Sequence, residues 1–153
     1  MLVNLNSLAH ELWSGLIKTH NLRLCEPNDE EVIVLGPSYA ILLWLDRDGL
    51  SFRYLDRSPQ IGRETIDLAD YLIDKRRWIL TGKSPDPADR LSVLRQGLNN
   101  CAQTLAEVAP DILRGEKEWL KDRSVMRLTL TDLQHKGLTN SITACECQDE
   151  GSL

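Results

Sequence analysis

Between Leu22 and Leu55 the chain repeats one pattern, a short apolar or alternating run followed by a turn. The runs cover residues 22–26, 31–35, 39–45 and 50–55. Val32, Ile33 and Val34 are β-branched, and residues 39–45 are almost wholly apolar, as in a central strand. Leu50, Phe52 and Tyr54 alternate with Ser51 and Arg53. The separators are Pro27-Asn28-Asp29, Gly36-Pro37-Ser38 and Asp46-Arg47-Asp48-Gly49, each a turn by composition. Links this short cannot hold a crossover helix, so the runs predict an antiparallel meander rather than βαβ units.

Helical period flanks these runs. Leu5, Leu8, Ala9, Leu12, Trp13, Leu16 and Ile17 share one face of a helix over 4–19. Asn4 or Asn6 suits its start and His20-Asn21 its stop. A second helix is predicted over 65–80 from Ile66, Ala69, Leu72, Ile73 and Leu80, ended by Gly82. A third starts in Pro85-Asp86-Pro87-Ala88-Asp89, with Asp86 as cap and Pro87 at the first helical position. It runs to about Val108 with Leu91, Leu94, Leu98, Cys101, Leu105 and Val108 at spacings of three and four. Such a seam packs within the domain in preference to a second copy, because it is short for a coiled coil. A short turn at 111–115, a last helix over 116–123 and a further strand at 125–130 complete the reading. After about Gln134 the pattern stops.

The expected fold is α+β: an N-terminal helix, a four-stranded antiparallel meander, then two long helices and one short helix packed mainly on one face. Residues 1–134 read as one domain and 135–153 as a flexible acidic tail. The net charge of the 153 residues is −5. From Asp132 onward four acidic residues stand against Lys136, which leaves the body near −2. That balance disfavours a nucleic-acid partner, which calls for a basic domain. No apolar run approaches the roughly 18 residues of a membrane span. The order before Lys18 is not that of a signal peptide, so the expectation is no membrane and a cytoplasmic location. Cys25, Cys101, Cys145 and Cys147 fit a reducing compartment as ordinary thiols.

No catalytic constellation emerges. His10, His20 and His135 have no metal-ligand spacing around them. Cys145-Glu146-Cys147 lacks two further zinc ligands, and its thiols read as exposed and unemployed. Asp46-Arg47-Asp48-Gly49 fails the EF-hand pattern, with its glycine two positions early and Arg57 where the bidentate glutamate belongs. Gly82-Lys83-Ser84 follows a helix, and Arg77 stands where a phosphate loop needs its first glycine. The expectation is no catalytic residue, no metal and no cofactor.

Charge and aromatic placement carry what remains. Lys75, Arg76, Arg77, Lys83, Arg90 and Arg95 gather around the junction of the two long helices. Glu26, Asp29, Glu30 and Glu31 cluster at the first strand turn. Of the tryptophans, Trp44 reads as core, Trp78 follows Arg76-Arg77, and Trp119 sits among charges. Tryptophan beside arginine is a frequent composition of interface hot spots. Arg76, Arg77, Trp78, Lys83 and Trp119 are therefore the candidate partner-binding residues. The overall make-up is similar to the small bacterial immunity proteins, which are compact α+β inhibitors of toxins. It also resembles type III secretion chaperones, small acidic dimers, although four successive strands and the basic junction depart from that pattern. The expectation is a non-enzymatic bacterial protein, monomer or homodimer, that binds another protein, with an immunity protein inhibiting a cognate toxin as the form the first resemblance implies. The alternatives are a chaperone-like dimer, a nucleic-acid-binding accessory protein, or an enzyme whose site is assembled from distant residues.

Overall fold

The computed structural model describes residues 5–28, 30–46, 49–58, 60–122 and 124–151. Its sheet follows chain order: β1 (Arg23–Asn28), β2 (Glu31–Leu35), β3 (Tyr39–Asp46), β4 (Gly49–Asp56), β5 (Glu64–Asp67) and β6 (Arg127–Thr129), each antiparallel to the next. The predicted meander is present, but the sheet has six strands rather than four. Arg47 and Asp48 lie outside the described residues. Asp46 pairs with Gly49, so β3 and β4 form the expected hairpin.

Side chains alternate across a strand, and here both faces are apolar. Tyr39, Ile41 and Leu43 lie on one face with Val32, Val34, Phe52 and Tyr54. Ala40 and Leu42 lie on the other with Ile33, Leu35 and Leu55. A sheet with two apolar faces needs a cover on each.

The first face is covered by α1 (Leu5–Thr19), α2 (Leu68–Lys75), α3 (Arg90–Val108) and α4 (Pro110–Leu113), with a 3₁₀ turn over Glu118–Lys121. Leu5, Leu8, Ala9, Trp13 and Leu16 are the buried stripe of α1, as the period predicts. Asn21 follows the helix with φ 53°, a left-handed stop. Asn4 lies outside the described residues. Leu94, Leu98, Cys101 and Leu105 of α3 are buried, so the centre of the seam is used inside the chain, where α3 packs on α1.

Two of the predicted helices have corrected boundaries. The helix expected over 65–80 is only α2. Glu64–Asp67 is strand β5, and the Asp67 carboxylate accepts from the Asp70 amide at 3.0 Å to open the helix. After Lys75 the chain leaves the helix because side chains of α3 take its amides, as described below. The third helix starts at Arg90 with Asp89 as cap, accepting from Ser92 at 3.1 Å. Asp86 holds the preceding turn instead, through the Ala88 amide at 2.9 Å.

The largest correction concerns the predicted tail. Residues Asp132–Gly151 form α5, which covers the second face. The helices therefore lie on both faces, not mainly on one. Leu138, Ile142 and Cys145 recur at spacings of four and three, and Ile142 and Cys145 are buried against the second face. Cys25 and Cys145 form a disulfide across 120 residues, with Cα atoms 5.6 Å apart. At the same end Arg23 donates to the Glu146 carbonyl at 3.1 Å. At the other end His135 Nε2 donates to the Ile61 carbonyl at 3.0 Å, and Arg63 meets Asp132 at 3.0 Å. The helix is thus fastened at both ends.

Candidate functional site

The five residues singled out from the sequence fall into two groups. Arg76 and Trp119 are bound into the fold. Arg76 donates from Nη1 and Nη2 to both carboxylate oxygens of Asp111 at 2.9 Å each, and from Nη1 to the Val108 carbonyl at 2.9 Å. Its Nε donates to the Tyr71 hydroxyl at 3.1 Å. The two partners of the ion pair are only 23% and 26% exposed. This fork ties the end of α2 to the junction of α3 and α4. Hydrogen bonding from Arg76 holds the Asp111 carboxyl below its usual range, and the same bond raises the guanidinium. Trp119 is 6% exposed, with its ring 4.8 Å from that of Tyr54 and 4.7 Å from that of Tyr71.

Arg76→Met is therefore expected to cost about 2–3 kcal/mol, the range for hydrogen bonds to charged groups. Arg77→Met should stay within about 0.5 kcal/mol, as for an exposed side chain. The Asp111 pKa is lowered on folding, so its contribution is present above the unfolded value of about 3.9 and fades as pH falls through the folded one. Urea unfolding at pH 7 and pH 3 checks both points. The gap between wild type and Arg76→Met should narrow at pH 3, and an equal gap at both values would remove Asp111 as its source.

Arg77, Trp78 and Lys83 belong to a second group. They lie on the connection between α2 and α3, which runs as an extended strap along α3. The Ile79 amide donates to the Thr104 hydroxyl at 3.0 Å, and the Thr81 amide and hydroxyl both donate to Asn100 Oδ1 at 2.8 Å. Gln96 Nε2 donates to the Lys83 carbonyl at 2.8 Å. Asn100 and Thr104 are buried polar residues, and these bonds satisfy them. Fixing alternate backbone groups inward turns other side chains outward. Arg77 and Lys83 are exposed, Leu80 is 68% exposed, and Trp78 is half-buried against the first-face core. Ile73, at the end of α2, is also exposed.

Lys117 Nζ donates to the Ser38 carbonyl at 2.8 Å, to the Tyr54 hydroxyl at 3.2 Å, and to Asp56. Burial pushes the phenols of Tyr39 and Tyr54 well above their ordinary value, which keeps both protonated. His10 pairs with Glu26 of the acidic turn, and Asp29 of that turn lies outside the described residues. Among the described residues no cluster of three His, Cys, Asp or Glu side chains could hold a metal ion. No helix among them is long and apolar enough to cross a membrane.

Sequence reasoning missed two features. Cys145 is buried and bonded to Cys25, not an exposed thiol, whereas Cys147 is free and exposed. Only pairing across 120 residues reveals this, and no local spacing encodes it. The second is a cleft of about 720 Å³ between the second sheet face and α5, with Trp44 and Arg53 on its wall. Trp44, read as core, is half-buried there. The strand alternation that puts Ser51 and Arg53 opposite Phe52 and Tyr54 already placed Arg53 on that face. No family model, curated protein or solved structure matches this chain.

Proposed function

We propose that this chain is a non-enzymatic protein that binds another protein through the strap at residues 77–83, in the manner of an immunity protein engaging an acidic surface of its toxin. The observation that supports this reading is the strap itself. Its backbone is fixed to α3 by hydrogen bonds, so little ordering remains to be done on binding. It presents Arg77 and Lys83 on either side of the exposed Leu80, a cationic and apolar pairing suited to a hot spot with a charged rim. The Cys25–Cys145 bond weighs for an oxidising compartment and against the cytoplasm that the sequence suggests, because such bonds are kept open by cytoplasmic reductants.

A photo-crosslinking side chain at Leu80 tests the proposal in the native host. One protein of defined mass is expected on the crosslink. Arg77→Glu with Lys83→Glu should weaken its binding at least about tenfold by removing rim charge complementarity, with thermal stability unchanged. An empty crosslink, or a partner held equally by the charge-reversed variant, overturns the proposal.

A further inference from the structure

The cleft beneath α5 is separate from the strap and lies on the opposite sheet face. Its volume, about 720 Å³, is that of a small-molecule site. Ile33 and Leu42 form its floor, and Leu138 of α5 closes it from above. The Arg53 guanidinium lies 5.7 Å from the centre of the Trp44 ring. Among the described residues its one hydrogen bond is from Nη1 to the Thr65 hydroxyl at 3.4 Å. The carboxylate opposite it in register, Asp67, is turned to the Asp70 amide at the start of α2. A half-buried guanidinium in a cleft of mixed polar and apolar lining thus keeps donors directed at no described acceptor. Glu31 also lines the cleft, but from β2, two strands or about 9.6 Å from β4. The β4 end is therefore the end that suits an anion.

We propose that this cleft binds an aromatic carboxylate. The ring lies between Trp44 and Leu138, the partly exposed apolar side chains of the cleft, and the carboxylate accepts from the unused N–H groups of Arg53, which is already stacked and oriented. The Thr65 hydroxyl, on the neighbouring strand, holds the guanidinium from its other side.

Naphthalene-2-carboxylate is the probe, followed by calorimetry and by amide chemical-shift mapping on the full chain. Binding with a Kd of about 1 mM or tighter is expected for a ligand of this size. The shifts should map to β3, β4 and α5. Arg53→Met keeps the apolar stem over Trp44 and removes the charge, and it should weaken binding about 10- to 100-fold. The neutral naphthalene-2-methanol should bind the wild type as weakly as the acid binds Arg53→Met. Gly137 lines the cleft, and a Cβ built there meets nothing within 4 Å. Gly137→Leu should therefore fill the cleft and abolish binding while leaving α5 helical, since leucine is the better helix former. No saturable binding to the wild type, shifts elsewhere in the chain, or equal affinity in folded Arg53→Met and Gly137→Leu would each overturn the proposal.

Discussion

Trp13→Ala is expected to lower the unfolding free energy by about 3–5 kcal/mol, the range for deleting a large buried aromatic. Trp13 has no exposed surface and sits where α1, α3 and the sheet meet. Its ring meets Phe52 of β4 edge-on, with centroids 6.0 Å apart. Its indole N–H donates to the Leu98 carbonyl of α3 at 3.1 Å. Truncation therefore removes the packing of three layers and one buried hydrogen bond at once. Trp13→Phe separates the two contributions. It keeps an aromatic ring and loses the indole donor, so a smaller loss of about 1–2 kcal/mol is expected. Urea denaturation of both variants checks this. A loss below about 1 kcal/mol in Trp13→Ala would show that α1 does not depend on this residue for its docking.

Gly36→Ala should cost about 3 kcal/mol or more, at the upper end for overpacking. Gly36 ends β2 at the turn into β3, and its amide donates to the Tyr39 carbonyl at 3.0 Å. A Cβ at this position would lie 2.1 Å from Cζ and 2.3 Å from Cε1 of the Tyr39 ring. That ring has nowhere to retreat. It is fully buried and stacked on Tyr54 at 5.5 Å, and its hydroxyl donates to the Leu113 carbonyl at 2.8 Å. The Arg57 guanidinium crosses the same turn, donating to the carbonyls of Gly36 at 2.9 Å and Tyr39 at 3.1 Å. Gly36→Ala with Tyr39→Ala gives the cycle that isolates the clash. The double variant should lose clearly less than the sum of the two single losses. Additive losses would mean that the ring and the new methyl group do not meet.

The meander was legible because its signals are local. Apolar runs of strand length separated by three- or four-residue turns leave antiparallel neighbours as the available pairing, and β1 to β4 follow it. The α1 stripe and the α3 seam were legible for the same reason, since a period of three and four is written in consecutive turns. The helix expected at 65–80 failed at both ends because distant groups decided them. Thr65 and Ile66 pair with Leu55 and Tyr54 of β4, and the amides of Ile79 and Thr81 are claimed by Thr104 and Asn100 of α3. Local propensity cannot anticipate partners that lie beyond the segment itself, on β4 and on α3. Among the candidate site residues, the same uncertainty separated Arg76 and Trp119 from Arg77 and Lys83. All four are polar or amphipathic in a charged stretch, but Asp111 captures one and two tyrosine rings bury another.

The second face shows where the division lies. Residues 39–45 are almost wholly apolar, as suits a strand buried on both sides, yet the sequence reading puts the covering helices mainly on one face. Leu138, Ile142 and Cys145 carry the stripe that covers the other, but polar and small residues around them dilute the signal in a segment of low hydropathy. The sequence by itself determined the antiparallel order of β1 to β4 and the inward stripe of α1, because each depends on neighbours a few residues apart. Tertiary structure alone decided that α5 is the second cover, that Cys145 meets Cys25, and that Trp44 and Arg53 line a cleft rather than a core. Each of those rests on contacts between segments far apart in the chain, whose free energy exists only once the sheet is in place to receive them.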